Sequence, residues 1–409
     1  MNNYAELLLN LLYFSKTPDK SELQNIPLET WQAIYELARK QRIDTYLAQS
    51  LKDKNLFQIL PPEMQAQFQN GQRTNTVRNL QLYRSFHQIA ERFQTANIPI
   101  IALKGTYLAE HVYQNISLRA MNDIDLLVRE SDLKAASEIA LDMGYKPLRP
   151  FSTDWETSHK HLPRMNKKGA ATLEIHWNLT PRDKDYSVKP AEFWKRAVKI
   201  TIANQNVLTL SPEDTLLFIC EHNSYGHQFN FGLRPYLDIT MLINFFGEKL
   251  DWESVIERAH TWHWTKGIYL SLYLADALLG APVPDTVLQA LRPANLTNAI
   301  IDAAKEQLFD EKYLVFGIAA PVTQAANQKL GDSLKTIWSR IFIPRIELAN
   351  RTNDRVSPYS WKIYFYYIPR IKDLFLRHTK TIINLRKKET PLALAAKRKS
   401  ELVNWLEKS

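Results

Sequence analysis

Cysteine and glycine are scarce in this sequence, which has one cysteine, Cys220, and 11 glycines among 409 residues. A single cysteine excludes an internal disulfide, and its position in the apolar run 215–220 predicts a buried, unreactive thiol. This cysteine usage favours a reducing cytoplasm as the location of the protein. The first residues lack a basic leader and a cleavage site, so they predict a helix rather than a signal peptide.

Long hydrophobic runs are also missing. The longest one, residues 267–283, is interrupted by Asp276. We therefore expect a helix of the protein core there and no transmembrane segment. The sequence contains no CxxC, HExxH, GxGxxG, Walker A or GxSxG motif. These absences argue against common zinc sites, dinucleotide binding, P-loop chemistry and α/β-hydrolase chemistry.

The most informative stretch covers residues 99–145. It opens with a short apolar run that predicts a buried strand and ends at Lys104 and Gly105, and a helical pattern follows. A glycine at the end of a strand lets the backbone approach a phosphate closely. We therefore expect the turn at Lys104 and Gly105 to line the phosphates of a nucleotide.

A second strand is predicted where the sequence reads Asp-Ile-Asp-Leu-Leu-Val, over residues 123–128. Side chains alternate along a strand, so Asp123 and Asp125 share one face while Ile124 points into the core. Two neighbouring carboxylates repel each other unless a cation lies between them, and Mg²⁺ (or Mn²⁺) takes such oxygen ligands. The alternative is that both are solvated charges on an edge strand.

A third acidic position lies on a later predicted strand, residues 171–177, which follows a hairpin turn. Glu174 and His176 share one face of this strand, alternating with apolar residues. Glu174 is the candidate third acid, which would hold the metal or accept the proton of an attacking hydroxyl. His176 is either a satisfied structural histidine or a phosphate or proton-transfer partner.

These motifs together resemble the polymerase-β-like nucleotidyltransferase superfamily and, more narrowly, a bacterial family of uncharacterised nucleotidyltransferases. The resemblance extends over roughly residues 30–370 and is most specific between 99 and 180. One departure from the superfamily is that Lys104 and Gly105 stand where most members have Gly-Ser or Gly-Gly. The matching positions are Leu103-Lys104-Gly105, Arg119, Asp123–Val128, Asp132 and Gly144-Tyr145.

The resemblance implies an α+β fold, with a small mixed β-sheet nucleotidyltransferase core flanked by N-terminal and C-terminal helical lobes. With the helical and strand patterns, it divides the chain into four parts. We expect an N-terminal helical lobe over 1–95, the α/β core over 96–205, a helical domain over 206–300, and a helical region with a basic tail over 301–409.

The resemblance also implies a function, the metal-dependent transfer of an NMP from an NTP to a hydroxyl, with release of pyrophosphate. Asp123, Asp125 and Glu174 would be the catalytic metal ligands. The nucleotide would contact Lys104, Gly105, Arg119, His176 and Arg234. The acceptor is open among a sugar, a small metabolite, RNA and a protein. His222, Arg234 and Asp238 would either face the nucleotide or acceptor, or form a buried network that ties helices together.

Three alternatives remain at this level. The site could transfer a phosphoryl group, or the chain could be a non-catalytic nucleotide- or RNA-binding scaffold on the same fold. The third is an RNA contact through the basic tail, at residues 386–388 and 397–399. The net charge of +9 permits such a contact but does not require it.

Overall fold

Helices surround one mixed sheet in the computed structural model, which describes residues 3–149, 160–182, 184–309, 345, 348, 360–368 and 391–407. The strands among these residues are β1 Ile101–Ala102, β2 Asp123–Leu127, β3 Lys146–Pro147, β4 Met165–Asn166, β5 Thr172–His176, β6 Val198–Ile202 and β7 Gln205–Thr209. The helices before residue 200 are α1 Asn3–Leu12, α2 Lys20–Gln24, α3 Leu28–Lys40, α4 Asp44–Asp53, α5 Pro62–Thr95, α6 Gly105–Tyr107, α7 Leu133–Asp142 and α8 Pro190–Arg196. The later helices are α9 Pro212–Glu221, α10 Arg234–Phe246, α11 Trp252–Thr261, α12 Thr265–Leu279, α13 Asp285–Leu291, α14 Asn298–Phe309 and α15 Pro391–Glu407.

The sheet has the order β3-β4-β5-β2-β1-β7-β6. Strand β2 lies between β5, to which it is parallel, and β1, to which it is antiparallel. Its register with β5 places Asp125 opposite Glu174, although the two residues are far apart in the sequence. This mixed sheet among helices confirms the predicted α+β class.

Strand β2 has one apolar and one acidic face, as its alternation predicts. Ile124 and Leu126 are fully buried, and Leu173 and Ile175 of β5 are buried as well. Removing four such side chains from water supplies about 1.5–3 kcal/mol each. The opposite face of β2 carries the two aspartates, and this burial therefore fixes where their carboxylates point.

The long helix α5 holds the loop that leads into β2. Its Asn79 donates a hydrogen bond of 2.8 Å from Nδ2 to the carbonyl of Arg119, and Asn75 donates one of 2.7 Å to Ser117. Tyr83 donates from its hydroxyl to the carbonyl of Thr106, at 2.7 Å. These bonds satisfy carbonyls of an irregular segment that has no ladder partner, so the loop is held to a rigid element.

The described residues form two compact units. The first contains the described residues up to Asn295 except Leu148 and Arg149, which belong with residues from Leu296 onward to the second. The division into four parts stays a prediction. In the second unit α14 packs on α15, and Arg398 contacts Glu306 at 2.9 Å.

The basic tail is described only in part. Residues 386–388 lie outside the described residues, whereas Lys397, Arg398 and Lys399 lie on α15, where Lys399 is buried. An RNA contact there stays a prediction. The apolar run that begins at residue 267 lies in helix α12, and among the described residues no helix is long and apolar enough to cross a membrane.

Candidate active site

A cleft of 370 Å³ lies over the acidic face of β2 and β5. Its walls come from these strands, from the turn before α6, and from the segments around α9 and α10. The structure brings all the sequence-predicted site residues to this one cleft, namely Lys104, Gly105, Arg119, Asp123, Asp125, Glu174, His176 and Arg234.

Three side chains at the floor of the cleft converge most closely. His176 Nε2 lies 3.2 Å from Asp125 Oδ1 and 3.6 Å from Glu174 Oε2. One ligand atom from each residue lies within 4.8 Å of the others, an arrangement that could hold a metal ion. Asp123 shares the cleft and the strand face but is not part of this group, so the trio uses His176 where the sequence predicted Asp123.

The charges of the trio are strongly coupled. Burial would raise the pKa of Asp125, but the Lys104 ammonium and the contact with His176 outweigh it and hold that pKa below its ordinary value. Burial likewise opposes the protonation of His176, yet the two carboxylates raise its pKa overall. The pKa of Asp123 is raised by burial and by the negative charges of Asp125 and Glu174. A cation at the trio would relieve this repulsion.

The turn at Lys104 is strained and close-packed. Lys104 has φ 41° and ψ −100°, a backbone conformation that costs a β-carbon-bearing residue on the order of 1–3 kcal/mol and is common at functional sites. Burial lowers the pKa of its ammonium, whose Nζ lies 4.5 Å from the ring centroid of Phe218. A Cβ on Gly105 would meet Arg119 Nη1 and Met121 Sδ at 3.2 Å each. A side chain at this position would therefore have to displace the ends of Arg119 and Met121.

Arg119 is held in a buried ion pair at the edge of the cleft. Its Nε and Nη2 donate to Asp238 Oδ1 and Oδ2, both at 2.8 Å. The Tyr113 hydroxyl donates to Asp238 Oδ1 as well, at 2.8 Å. Both charged side chains are nearly inaccessible, at 6% and 5% exposure. This pair joins the loop before β2 to α10, so Arg119 has a structural contact in addition to its place in the cleft wall.

The other residues of the suggested network have different partners. Arg234 donates from Nη1 to the carbonyl of Ala120 at 3.0 Å, and its guanidinium lies 4.7 Å from the ring centroid of Phe231. Burial lowers the pKa of Arg234 to about 10. His222 lies 3.1 Å from His227 between their Nε2 atoms. The histidine, arginine and aspartate are therefore neighbours in one wall, each bonded to a different group.

The chain is similar to known nucleotidyltransferases. Residues 27–280 match a family model described as an uncharacterised nucleotidyltransferase. The chain belongs to this family. No curated protein matches the chain. A solved structure, the solution structure of the antibiotic-resistance factor ANT(2'')-Ia, is similar with a TM-score of 0.34 and 11% identity over 47% of this chain and 94% of that chain.

Membership of the nucleotidyltransferase family makes the chain a transferase, and the cleft lies within the matched residues. Several of its lining residues were not predicted from the sequence. Arg164 pairs with Glu174 through Nε and Oε1, and the ring of His161 lies 5.0 Å from that of His176. Four polar and aromatic residues that precede strand β4 in the sequence lie outside the described residues, namely Asp154, Trp155, Glu156 and His159.

The most telling of the unpredicted residues is Glu221, which is 1% exposed and lines the cleft at the end of α9. The sequence did carry a signal for it, because Glu221 directly follows five apolar residues, 216–220, at the end of its helix. An acidic residue in a buried run is uncommon unless it is paired or functional.

Proposed function

We propose that the protein is a divalent-metal-dependent nucleotidyltransferase that moves an NMP from an NTP to a hydroxyl-bearing acceptor and releases pyrophosphate. The observation that carries the proposal is the convergence of Asp125, Glu174 and His176 on neighbouring strands. A strained turn with a buried ammonium lines the same cleft. Nucleotidyl transfer needs this combination, a metal-binding group beside a phosphate-binding turn.

The residues fit a divalent cation. Asp125 and Glu174 offer carboxylate oxygens, as Mg²⁺ prefers, while the imidazole of His176 suits Mn²⁺ as well. Asp123 would reach a second cation from the same face of β2. A bound divalent cation neutralises the charge that develops on the transferred phosphate and on the departing pyrophosphate.

The basic residues of the cleft would bind and orient the triphosphate. Lys104 contributes an ammonium at the turn, and Gly105 allows its backbone to approach a phosphate. Arg234 lines the same cleft, where its guanidinium would pair with phosphate oxygens. Holding both reactants in place would supply most of the rate gain.

In the transfer, an acceptor hydroxyl oxygen forms a bond to the α-phosphorus, and the bond between that phosphorus and the oxygen bridging to the β-phosphate breaks. Pyrophosphate takes the electron pair of the broken bond, and the hydroxyl proton passes to a base. Glu174 is suited to the metal rather than to that proton. Although burial raises its pKa, the contact with His176 and the charge of Arg164 lower it overall.

The single buried thiol, Cys220, supports the expectation of a reducing compartment such as the cytoplasm.

The test is nucleotide binding and turnover with each of four NTPs, in Mg²⁺ and in Mn²⁺, for wild type and Asp125→Asn. Loss of this carboxylate should reduce turnover by on the order of 10²–10³-fold, as for other preorganised electrostatic groups. Asp142→Asn is the matched control, since Asp142 is exposed at the end of α7. If folded wild type binds no NTP in either metal, or if Asp125→Asn turns over like the control, the proposal is wrong.

A further inference from the structure

Glu221 is a buried acidic residue with no ion pair to any residue that the structure describes. Its Oε2 has no hydrogen-bond partner among the described residues, and none of the described basic groups lies within ion-pair distance of it. Burial raises its pKa, and the charges of Lys160 and Lys104 oppose that effect. A buried carboxylate without such a partner lowers the stability of the folded protein by several kcal/mol. We therefore expect Glu221 to have a function that offsets this loss.

The backbone around Glu221 is also irregular. Residues His222–Gly226 directly after it form a π-helical turn, a feature that is rare and frequent at functional sites. The turn brings Tyr225, four residues after Glu221, to the same cleft. The Tyr225 ring stacks on that of Tyr186 with centroids 4.6 Å apart. We call the surface formed by Tyr186, Glu221, His222, Tyr225 and His227 the Glu221 wall.

The charge of the Glu221 wall indicates what it binds. A carboxylate repels phosphate, so the triphosphate belongs with the basic residues, whereas Glu221 accepts hydrogen bonds from a hydroxyl or ammonium. Glu221 lines the same cleft of 370 Å³ as Lys104 and Asp125, so its carboxylate shares one small cavity with the proposed site of the reacting phosphate. The nucleobase is separated from that phosphate by the ribose, whereas the acceptor must meet it at about 3–3.5 Å.

We propose that the Glu221 wall is the acceptor subsite, and that the acceptor is a small molecule presenting a hydroxyl or amino group, remote from any phosphate, to the Glu221 carboxylate. This inference rests on the proposed function and extends it from the nucleotide to the second substrate. The flanking tyrosine rings would cover the carbon skeleton of the acceptor, as aromatic side chains do in polar-ligand sites. An RNA terminus fits poorly, because its phosphodiester backbone would bring further negative charge towards the Glu221 carboxylate.

The test compares Glu221→Gln with wild type and with Glu253→Gln, an exposed position on α11. Transfer from α-labelled NTP is measured with two acceptor sources, a filtrate of cell extract below 3 kDa and the macromolecular retentate. Wild type should label the filtrate. Glu221→Gln should lower that labelling by about 10- to 100-fold, the loss expected for a hydrogen bond to a charged group. Its NTP affinity in calorimetry should change by less than about twofold, and its melting temperature should not fall.

The possible failures are distinguishable. Equal labelling of the filtrate by Glu221→Gln and wild type overturns the subsite, and labelling of only the retentate overturns the small-molecule assignment. An NTP affinity that falls tenfold in Glu221→Gln shows instead that Glu221 serves the nucleotide, and a lower melting temperature shows a structural role. If wild type binds no NTP and labels neither fraction, the proposed function itself fails, and the subsite with it.

Discussion

The buried pair of Arg119 and Asp238 allows a quantitative prediction. In Asp238→Asn the amide cannot replace the two carboxylate contacts of 2.8 Å, so the guanidinium of Arg119 remains buried without a counter-charge. Removing one partner of such a pair costs about 3–5 kcal/mol of unfolding free energy. In a unit of this size, that loss should lower the melting temperature by about 5–15 °C.

The assay is chemical denaturation of wild type, Asp238→Asn, Arg119→Met and the double variant Arg119→Met/Asp238→Asn. The double variant leaves no isolated charge, so it should be more stable than either single variant, and the cycle should give a coupling energy above about 1 kcal/mol. Glu36→Gln is the control, because Glu36 pairs with Arg39 at 2.8 Å with both side chains about half exposed. It should cost less than about 1 kcal/mol. A loss in Asp238→Asn no larger than in this control, or additive losses in the double variant, would refute the reasoning.

Two further predictions concern the segment after α9. Burial holds the pKa of His227 at about 3, below its ordinary 6.5. Because only the unfolded chain binds this proton between those values, His227 should lower the unfolding free energy by about 2 kcal/mol at pH 5. Burial also lowers the pKa of His161 and His222, so His227→Gln should remove about 2 kcal/mol of the fall between pH 7 and pH 5 and leave the rest, as measured by denaturation at both pH values. An unchanged slope in the variant would contradict this. A Cβ on Gly267 would meet Ser224 Oγ at 2.3 Å and Tyr225 Cε2 at 2.5 Å, so Gly267→Ala should cost about 1–3 kcal/mol and weaken catalysis by displacing Tyr225. An alanine variant with wild-type stability and turnover would contradict this, because it would show that the π-helical turn shifts to accommodate the added methyl group.

The acidic face of the site was predictable because it rests on local rules. Period-two alternation put Asp123 and Asp125 on one side of a strand, and it put Glu174 and His176 on one side of another. The start of α9 also follows a local rule, since Ser211 is a typical N-cap residue and accepts a hydrogen bond from the amide of Asp214. The pairing of Asp125 with Glu174 did not follow from alternation alone, because parallel strands are joined by long connections that do not set the register.

Partner choice could not be predicted from the sequence. The sequence does not show whether an arginine binds a phosphate or a carboxylate of the protein itself. Arg119 contacts Asp238 because α10 packs beside the loop before β2. His176 illustrates the same limit. Its strand face was predictable, but its position between two carboxylates depends on the β2–β5 register.

Helix α9 contains both a paired and an unpaired buried carboxylate, and the comparison indicates a function for the unpaired one. It carries two buried carboxylates, Asp214 at 0% and Glu221 at 1% exposure. Asp214 is fully compensated, with Arg196 Nε at 2.8 Å and Arg258 Nη1 at 3.0 Å. A buried acid of purely structural use is paired in this way.

Glu221 lies at the other end of the same helix, and no described group compensates it in the same way. The strained Lys104 backbone and the π-helical turn His222–Gly226 lie in segments that line the same cleft. Since strain and unpaired charge lower stability wherever they occur, their concentration around one cleft is best explained by the ligands that bind there. In the proposed function the trio and the turn would bind the nucleotide, and Glu221 would bind its acceptor.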